Sequence, residues 1–258
     1  MCKTAGDAAG GDGHAHNGHQ HHHGKGAAHG HGHPEHGATV RIERDVMDRN
    51  DRLAEYTRGW LDGRGVLALN LVSSPGSGKT TLLERTVREF GPDRPLCVIE
   101  GDQETDFDTR RIRAAGARAV QINTGVGCHL DAAMVRRALV DLDPPAGSVV
   151  FIENVGNLVC PALFDLGERA KVVICSVAEG DDKPLKYPHM FRAGRVLLLN
   201  KMDLLPYVPF QVERFLENAR QVNPGLKVFP VSALHGDGLA DWYDWLQQQA
   251  APAQPAAA

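Results

Sequence analysis

The stretch that most constrains this chain is Ser73-Ser74-Pro75-Gly76-Ser77-Gly78-Lys79-Thr80-Thr81. An apolar run over residues 66–72 precedes it, and residues 82–90, with helical periodicity, follow it. Strand, glycine-rich turn and helix is the order in which backbone N–H groups and a helix N-terminus cradle phosphates. The first glycine of the pattern G-x-x-x-x-G-K-[ST] is replaced by Ser73, and the remainder is present. Gly78 lets the backbone approach a phosphate, Lys79 can reach the β- and γ-phosphates, and Thr80 offers a hydroxyl to Mg²⁺. Gly76, Ser77, Gly78, Lys79, Thr80 and Thr81 are therefore the candidate phosphate contacts, and the chain is expected to bind a nucleoside triphosphate.

The segments around this loop predict its architecture. Strand-like runs fall at 66–72, 96–100, 119–123, 149–153, 172–177, 196–200 and 227–231, with helical patterns at 80–90, 105–115, 130–142, 209–223 and 239–248. Strands this apolar suit a sheet covered on both faces. The alternation predicts a doubly wound α/β sheet of about seven mostly parallel strands, whose ligands gather beyond the C-terminal strand ends. Residues 39–64 read as a helical segment packed on this domain, which spans 65–249, and residues 250–258 as a frayed tail.

Residues 1–38 are different in kind. Ten of the thirteen histidines lie there: His14, His16, His19, His21, His22, His23, His29, His31, His33 and His36, spaced by Gly and Ala. Such a segment has too little apolar surface to offset its ordering entropy, so it is expected to be disordered. Clustered imidazoles predict storage of Ni²⁺, Cu²⁺ or Zn²⁺, with Cys2 as an optional soft ligand.

Composition removes several function classes. A formal net charge of -4 offers no basic face for nucleic acid. No apolar stretch reaches the roughly 18 residues of a membrane span, and the polar N-terminus lacks a signal-peptide core. Five irregularly spaced cysteines do not form a disulfide framework, so a reducing cytoplasm is the expected location.

The strand ends supply the chemistry. After the second strand, Asp102 can hold Mg²⁺ or orient the attacking water, while Asp106, and in one reading Glu104, complement a helix N-terminus. After the fourth, Glu153 takes the position of an acidic Mg²⁺ residue and Gly156 can offer its N–H to the γ-phosphate. Lys79, Asp102 and Glu153 are the candidate catalytic groups. After the sixth comes Asn200-Lys201-Met202-Asp203. The Asp203 carboxylate can accept from N1–H and the N2 amino group of guanine, a pattern adenine lacks, so GTP is expected. Lys201 would lie along the base face, Asn200 would contact its edge and tie the loop, and Ser232-Ala233 amides would meet guanine O6.

Cys97 and Cys175 lie inside strands and read as buried. Cys128-His129 follows a glycine-rich turn, and Cys160 precedes Pro161 in a loop. Two thiols and an imidazole in loops on the nucleotide side are a ligand set for Ni²⁺ or Zn²⁺, completed by water or across a two-fold dimer. Cys160 lies seven residues past Glu153, so hydrolysis is expected to reposition it.

From about Arg41 to Leu246 the chain resembles the hydrogenase nickel-incorporation GTPases, the HypB family of the SIMIBI class, related to the urease accessory GTPases. The likeness rests on Ser74-Pro75-Gly76-Ser77-Gly78-Lys79-Thr80, Glu100-Gly101-Asp102-Gln103-Glu104-Thr105-Asp106, Gln121-Ile122-Asn123-Thr124-Gly125 and Gly127-Cys128-His129-Leu130. Glu153-Asn154-Val155-Gly156-Asn157-Leu158-Val159-Cys160-Pro161, Asp182-Lys183-Pro184-Leu185-Lys186-Tyr187-Pro188 and Asn200-Lys201-Met202-Asp203 complete it. The resemblance implies a slow GTPase that helps deliver Ni²⁺ to the large-subunit precursor of [NiFe]-hydrogenase, a nucleotide-linked homodimer and a HypA-type zinc-containing partner. It also carries metal ligation onto Cys128, His129 and Cys160. The cysteine-rich N-terminal motif of several relatives is reduced here to Cys2. A nickel reservoir without catalysis and a urease-type insertion factor are the rival readings; intact Lys79, Thr80, Glu153 and Asp203 weigh against the first.

Overall fold

A computed structural model describes residues 34–102 and 106–250, with side chains from Arg44 onward. Cys2, nine of the ten clustered histidines, Glu104 and residues 251–258 lie outside the described residues, and His36 is described in backbone only.

Seven parallel strands form one sheet in the order β3-β2-β4-β1-β5-β6-β7. They are β1 (Leu67–Ser73), β2 (Leu96–Asp102), β3 (Arg118–Asn123), β4 (Val149–Glu153), β5 (Ala170–Ser176), β6 (Gly194–Asn200) and β7 (Lys227–Pro230). The helices are α1 (Pro34–Gly63), α2 (Lys79–Phe90), α3 (Phe107–Ala114), α4 (Ala132–Leu142), α5 (Lys183–Lys186), α6 (Pro188–Ala193), α7 (Val212–Val222) and α8 (Leu239–Ala250). The doubly wound parallel sheet expected from the apolar strands is the fold observed.

All seven residues of β1 are buried, and the period-2 alternation of a strand divides them between two faces. Leu67, Leu69 and Leu71 join Leu83, Val87, Ile112 and Trp242 in the core beneath α2, α3 and α8. Ala68 packs with Leu61, Val135 and Leu139 beneath α1 and α4, and Val72 with Met190, Phe191 and Phe215 beneath α6 and α7. Withdrawing a side chain such as Leu69 from water stabilises the fold by about 1.5–3 kcal/mol.

Three details depart from the periodicity. α1 starts five residues ahead of the boundary expected at 39, with Pro34 at its first position, where the missing N–H costs nothing. Two short helices, α5 and α6, join β5 to β6; at four and six residues they are too short to show a period, and proline stands near the start of each. A 3₁₀ turn, Met202–Tyr207, follows β6 directly.

The strand order places β1 between β4 and β5, so the loops after β1, β4 and β2 meet at one edge. Among the described residues no helix is long and apolar enough to cross a membrane.

Candidate functional site

The loop between β1 and α2 lines a cleft of about 690 Å³, together with Asp102, Asp108, Arg111, Cys128, Glu153, Gly156 and Lys201. Two glycines shape it. Gly76 and Gly78 have φ of 76° and 89°, the left-handed region that costs other residues about 1–2 kcal/mol. Gly78 also has no room for a side chain, because a Cβ there would lie 2.5 Å from Asn200 Nδ2. Gly156 lies against the same loop, where a Cβ would stand 3.1 Å from Pro75 Cγ.

At the start of α2, Lys79 Nζ donates to Glu153 Oε1 at 2.8 Å and to the Asn154 carbonyl at 2.7 Å. Thr80 Oγ1 lies 2.9 Å from both Glu153 Oε1 and Asp108 Oδ2, and its single proton can go to either. Glu153 is 2% exposed, and its Oε2 is buried with no hydrogen-bond partner. An unpaired buried carboxylate oxygen is costly, and a hard divalent cation beside Thr80 is the partner its chemistry fits. Asp102 ends β2 half-buried on the wall of the cleft. Sequence reasoning missed two acids here, Asp108 and Glu100. Asp108 lies in the first turn of α3. Glu100 is held by the Thr109 hydroxyl; burial, with Glu153, Asp108 and Asp102 nearby, pushes it up to about 7. Their signal in the sequence is the acid-rich run from 100 to 108.

At the base end, Asn200 Nδ2 donates to the Ser77 carbonyl and Oδ1 accepts from Ala233 N–H, both at 2.9 Å. Lys201, at φ 61°, donates from Nζ to the Gly76 carbonyl at 2.7 Å. Ser232 Oγ donates to Asp203 Oδ1 at 2.6 Å. Ser232 N–H donates to the Asp237 carbonyl and Ala233 N–H to Asn200, so both amides brace the loop. Asn200, 1% exposed, is a tie between the two loops.

The second cluster lies on the same side. After β3 the chain turns at Gly125, whose N–H donates to Asn123 Oδ1, and re-enters helix at α4, capped by Asp131. Between them, Cys128 Sγ stands 3.1 Å from Cys160 Sγ and 3.6 Å from His129 Nδ1, and all three donor atoms fall within 4.8 Å of one another. Donors on one tetrahedral ion stand about 3.5–3.8 Å apart, so the set fits a metal with little movement. The hydrogen bond to Cys160, then burial, raises the Cys128 thiol above its ordinary value. Burial lowers the His129 imidazole, against the pull of Asp131, and so favours the neutral, ligating form. The His129 ring stacks on Phe164 with centroids 4.0 Å apart. Cys97 and Cys175 are buried in strands, as their surroundings predicted.

The family profile described as "CobW/HypB/UreG, nucleotide-binding domain" matches residues 67–230. The hydrogenase maturation factor HypB of Azotobacter vinelandii is 58% identical over 210 residues, covering 81% of this chain and 69% of that protein. The crystal structure of the hydrogenase maturation factor HypB from Archaeoglobus fulgidus superposes with a TM-score of 0.74 at 39% identity, covering 79% and 99% of the two chains. HypB from Helicobacter pylori, crystallised in complex with nickel, also superposes at 0.74, with 37% identity over 81% and 99%.

Proposed function

The chain belongs to the HypB family of hydrogenase maturation factors, P-loop proteins of the CobW/HypB/UreG group, and from that premise we propose that it is a GTP-hydrolysing nickel metallochaperone. It helps insert Ni²⁺ into the large-subunit precursor of [NiFe]-hydrogenase. The observation that carries this reading is that Cys128, of the thiol–imidazole cluster, lines the same cleft as Lys79, Thr80 and Glu153. A cargo site sharing a wall with a phosphate site is suited to release timed by hydrolysis.

Each residue has a part in that cycle. The loop amides and the α2 N-terminus hold the phosphates, Lys79 neutralises the β- and γ-oxygens, and Asp203 selects guanine. Mg²⁺, held by Thr80 and Glu153 with Asp102 or Asp108 at one remove, would offset charge developing on the transferred phosphoryl group. Asp102 is the candidate to orient the attacking water. Cys128, His129 and Cys160 hold Ni²⁺ in transit, or Zn²⁺, and the histidine tract stores nickel when it is plentiful.

The exposed apolar side chains of Val126, Val159 and Leu163 flank the cluster. They support the reading that it docks a second copy of this chain or a HypA-type zinc-containing chaperone. The test is hydrogenase maturation in a Lys79→Ala strain with and without added nickel. Maturation should fall at low nickel and recover in part when nickel is supplied; full activity at low nickel would sink the GTPase role.

A further inference from the structure

Asn70 sits fully buried in the central strand, 0% exposed, three residues before the phosphate loop begins. Neither phosphate binding nor metal ligation calls for an amide there, and burying one costs stability unless every polar atom is satisfied. It is satisfied by a relay. Asn70 Oδ1 accepts from Asn154 Nδ2 at 3.3 Å, and Asn70 Nδ2 donates to Glu168 Oε1 at 3.1 Å.

Both ends of the relay reach the thiol–imidazole cluster. Asn154 Oδ1 accepts from Leu130 N–H at 3.2 Å, directly after His129. Lys171 Nζ donates to Glu168 Oε1 at 2.8 Å and to the Phe164 carbonyl at 2.9 Å, fixing the residue whose ring stacks on His129. Asn157 Nδ2 adds a bond to the Cys128 carbonyl at 3.2 Å. Leu130 also fills the space over Gly101, where a Cβ would stand 2.9 Å from its side chain.

A branch of the relay at Asn154 reaches the phosphate loop, through the bond from Lys79 Nζ to the Asn154 carbonyl. A triphosphate competes for that same ammonium, whose three donors must then be divided between phosphate oxygens, Glu153 and Asn154. We propose that Asn154 is the positioning residue through which Lys79 governs the Cys128–His129–Cys160 cluster, by way of Leu130 on one side and Asn70, Glu168 and Phe164 on the other. This deepens the reading above and rests on its link between nucleotide and metal.

The test uses the full chain carrying Cys2→Ser, so that thiolate-to-nickel charge-transfer absorption reports Cys128 and Cys160 and ignores the imidazole tract. Ni²⁺ is titrated with GDP bound and with a non-hydrolysable GTP analogue bound, and the ratio of the two dissociation constants is compared with that of Asn154→Ala. We expect a ratio of about tenfold or more in the parent, falling below about twofold in the variant. A variant that keeps the parent's ratio overturns the proposal and leaves the functional reading intact. A parent ratio of one overturns the coupling itself, and the proposal with it. If Asn154→Ala gives no cooperative thermal melt, Asn154→Asp is read instead. It keeps an acceptor for Leu130 N–H but cannot donate to Asn70, and the ratio should fall at least about threefold below the parent's; an unchanged ratio again overturns the proposal.

Discussion

Glu153 Oε1 lies 2.8 Å from Lys79 Nζ, and the two side chains, 3% and 12% exposed, form a buried ion pair at the foot of the phosphate cleft. The same oxygen accepts from Thr80, so one carboxylate meets both residues that a triphosphate and its cation would engage. Glu153 is thus placed to hold Lys79 and Thr80 ready when the cleft fills.

Glu153→Gln keeps the shape and an acceptor oxygen but removes the charge. Phosphate release at saturating GTP should fall by about 10²–10³, the range for losing one preorganised electrostatic group. GDP affinity without Mg²⁺ should change by less than about tenfold, since the proposed phosphate contacts are the loop amides and Lys79. Equal losses in both measurements would show that Glu153 merely holds the loop together.

Gly78→Ala tests the loop's geometry. The new methyl meets Asn200 Nδ2 at 2.5 Å while the backbone sits at φ 89°. Strain of about 1–2 kcal/mol adds to displacement of the tie between Ser77 and Ala233. Affinity for a fluorescent guanine nucleotide should drop at least about tenfold, whereas Gly76→Ala, with open space around it, carries only the strain.

The sheet and the phosphate loop were legible in the sequence because each rests on a local pattern: apolar strands, a glycine-rich turn, a helical period. Cys128, His129 and Cys160 were legible by elimination, since none suits a strand core. What stayed hidden was long-range. Asp108 meets Thr80 across 28 positions, and Ala233 N–H meets Asn200 across 33. A dipeptide such as Ser232-Ala233 cannot show that its amides are bonded to Asp237 and Asn200. Asn70 and Glu168 pair across 98 positions, so no window of sequence reveals them as one network.

Asp203→Asn tests the choice of base. The substitution keeps an acceptor for Ser232 Oγ but exchanges a carboxylate for an amide that also donates. Guanine then loses one acceptor for its N1–H and N2 amino pair, while xanthine, with a carbonyl at C2, gains a donor. Competition between GTP and XTP should shift toward XTP by at least about 10²-fold, in line with sites that lose a buried hydrogen-bond partner. Unaltered preference would place base recognition elsewhere.

The metal cluster should respond to pH with a definite sign. Cys128 is raised by its hydrogen bond to Cys160 and by burial, so at neutral pH it still carries its proton and an incoming ion must displace it. His129 is lowered by burial and is already neutral there, so it releases nothing. As pH rises from about 6.5 toward the raised Cys128 value, proton competition weakens and apparent Ni²⁺ or Zn²⁺ affinity should climb by about tenfold per unit for that one proton. The climb ends once Cys128 ionises without help. Cys128→Ser removes this proton, so it should both weaken binding and flatten the slope by about one decade per unit. Metal on the histidine tract competes with imidazole protons and not with thiol protons. Charge-transfer absorption in a Cys2→Ser chain separates the two sites, and proton release measured in two buffers of different ionisation heat counts the displaced protons. A cluster affinity that is flat from pH 6.5 to 8.5 would mean that the thiols are not the ligands.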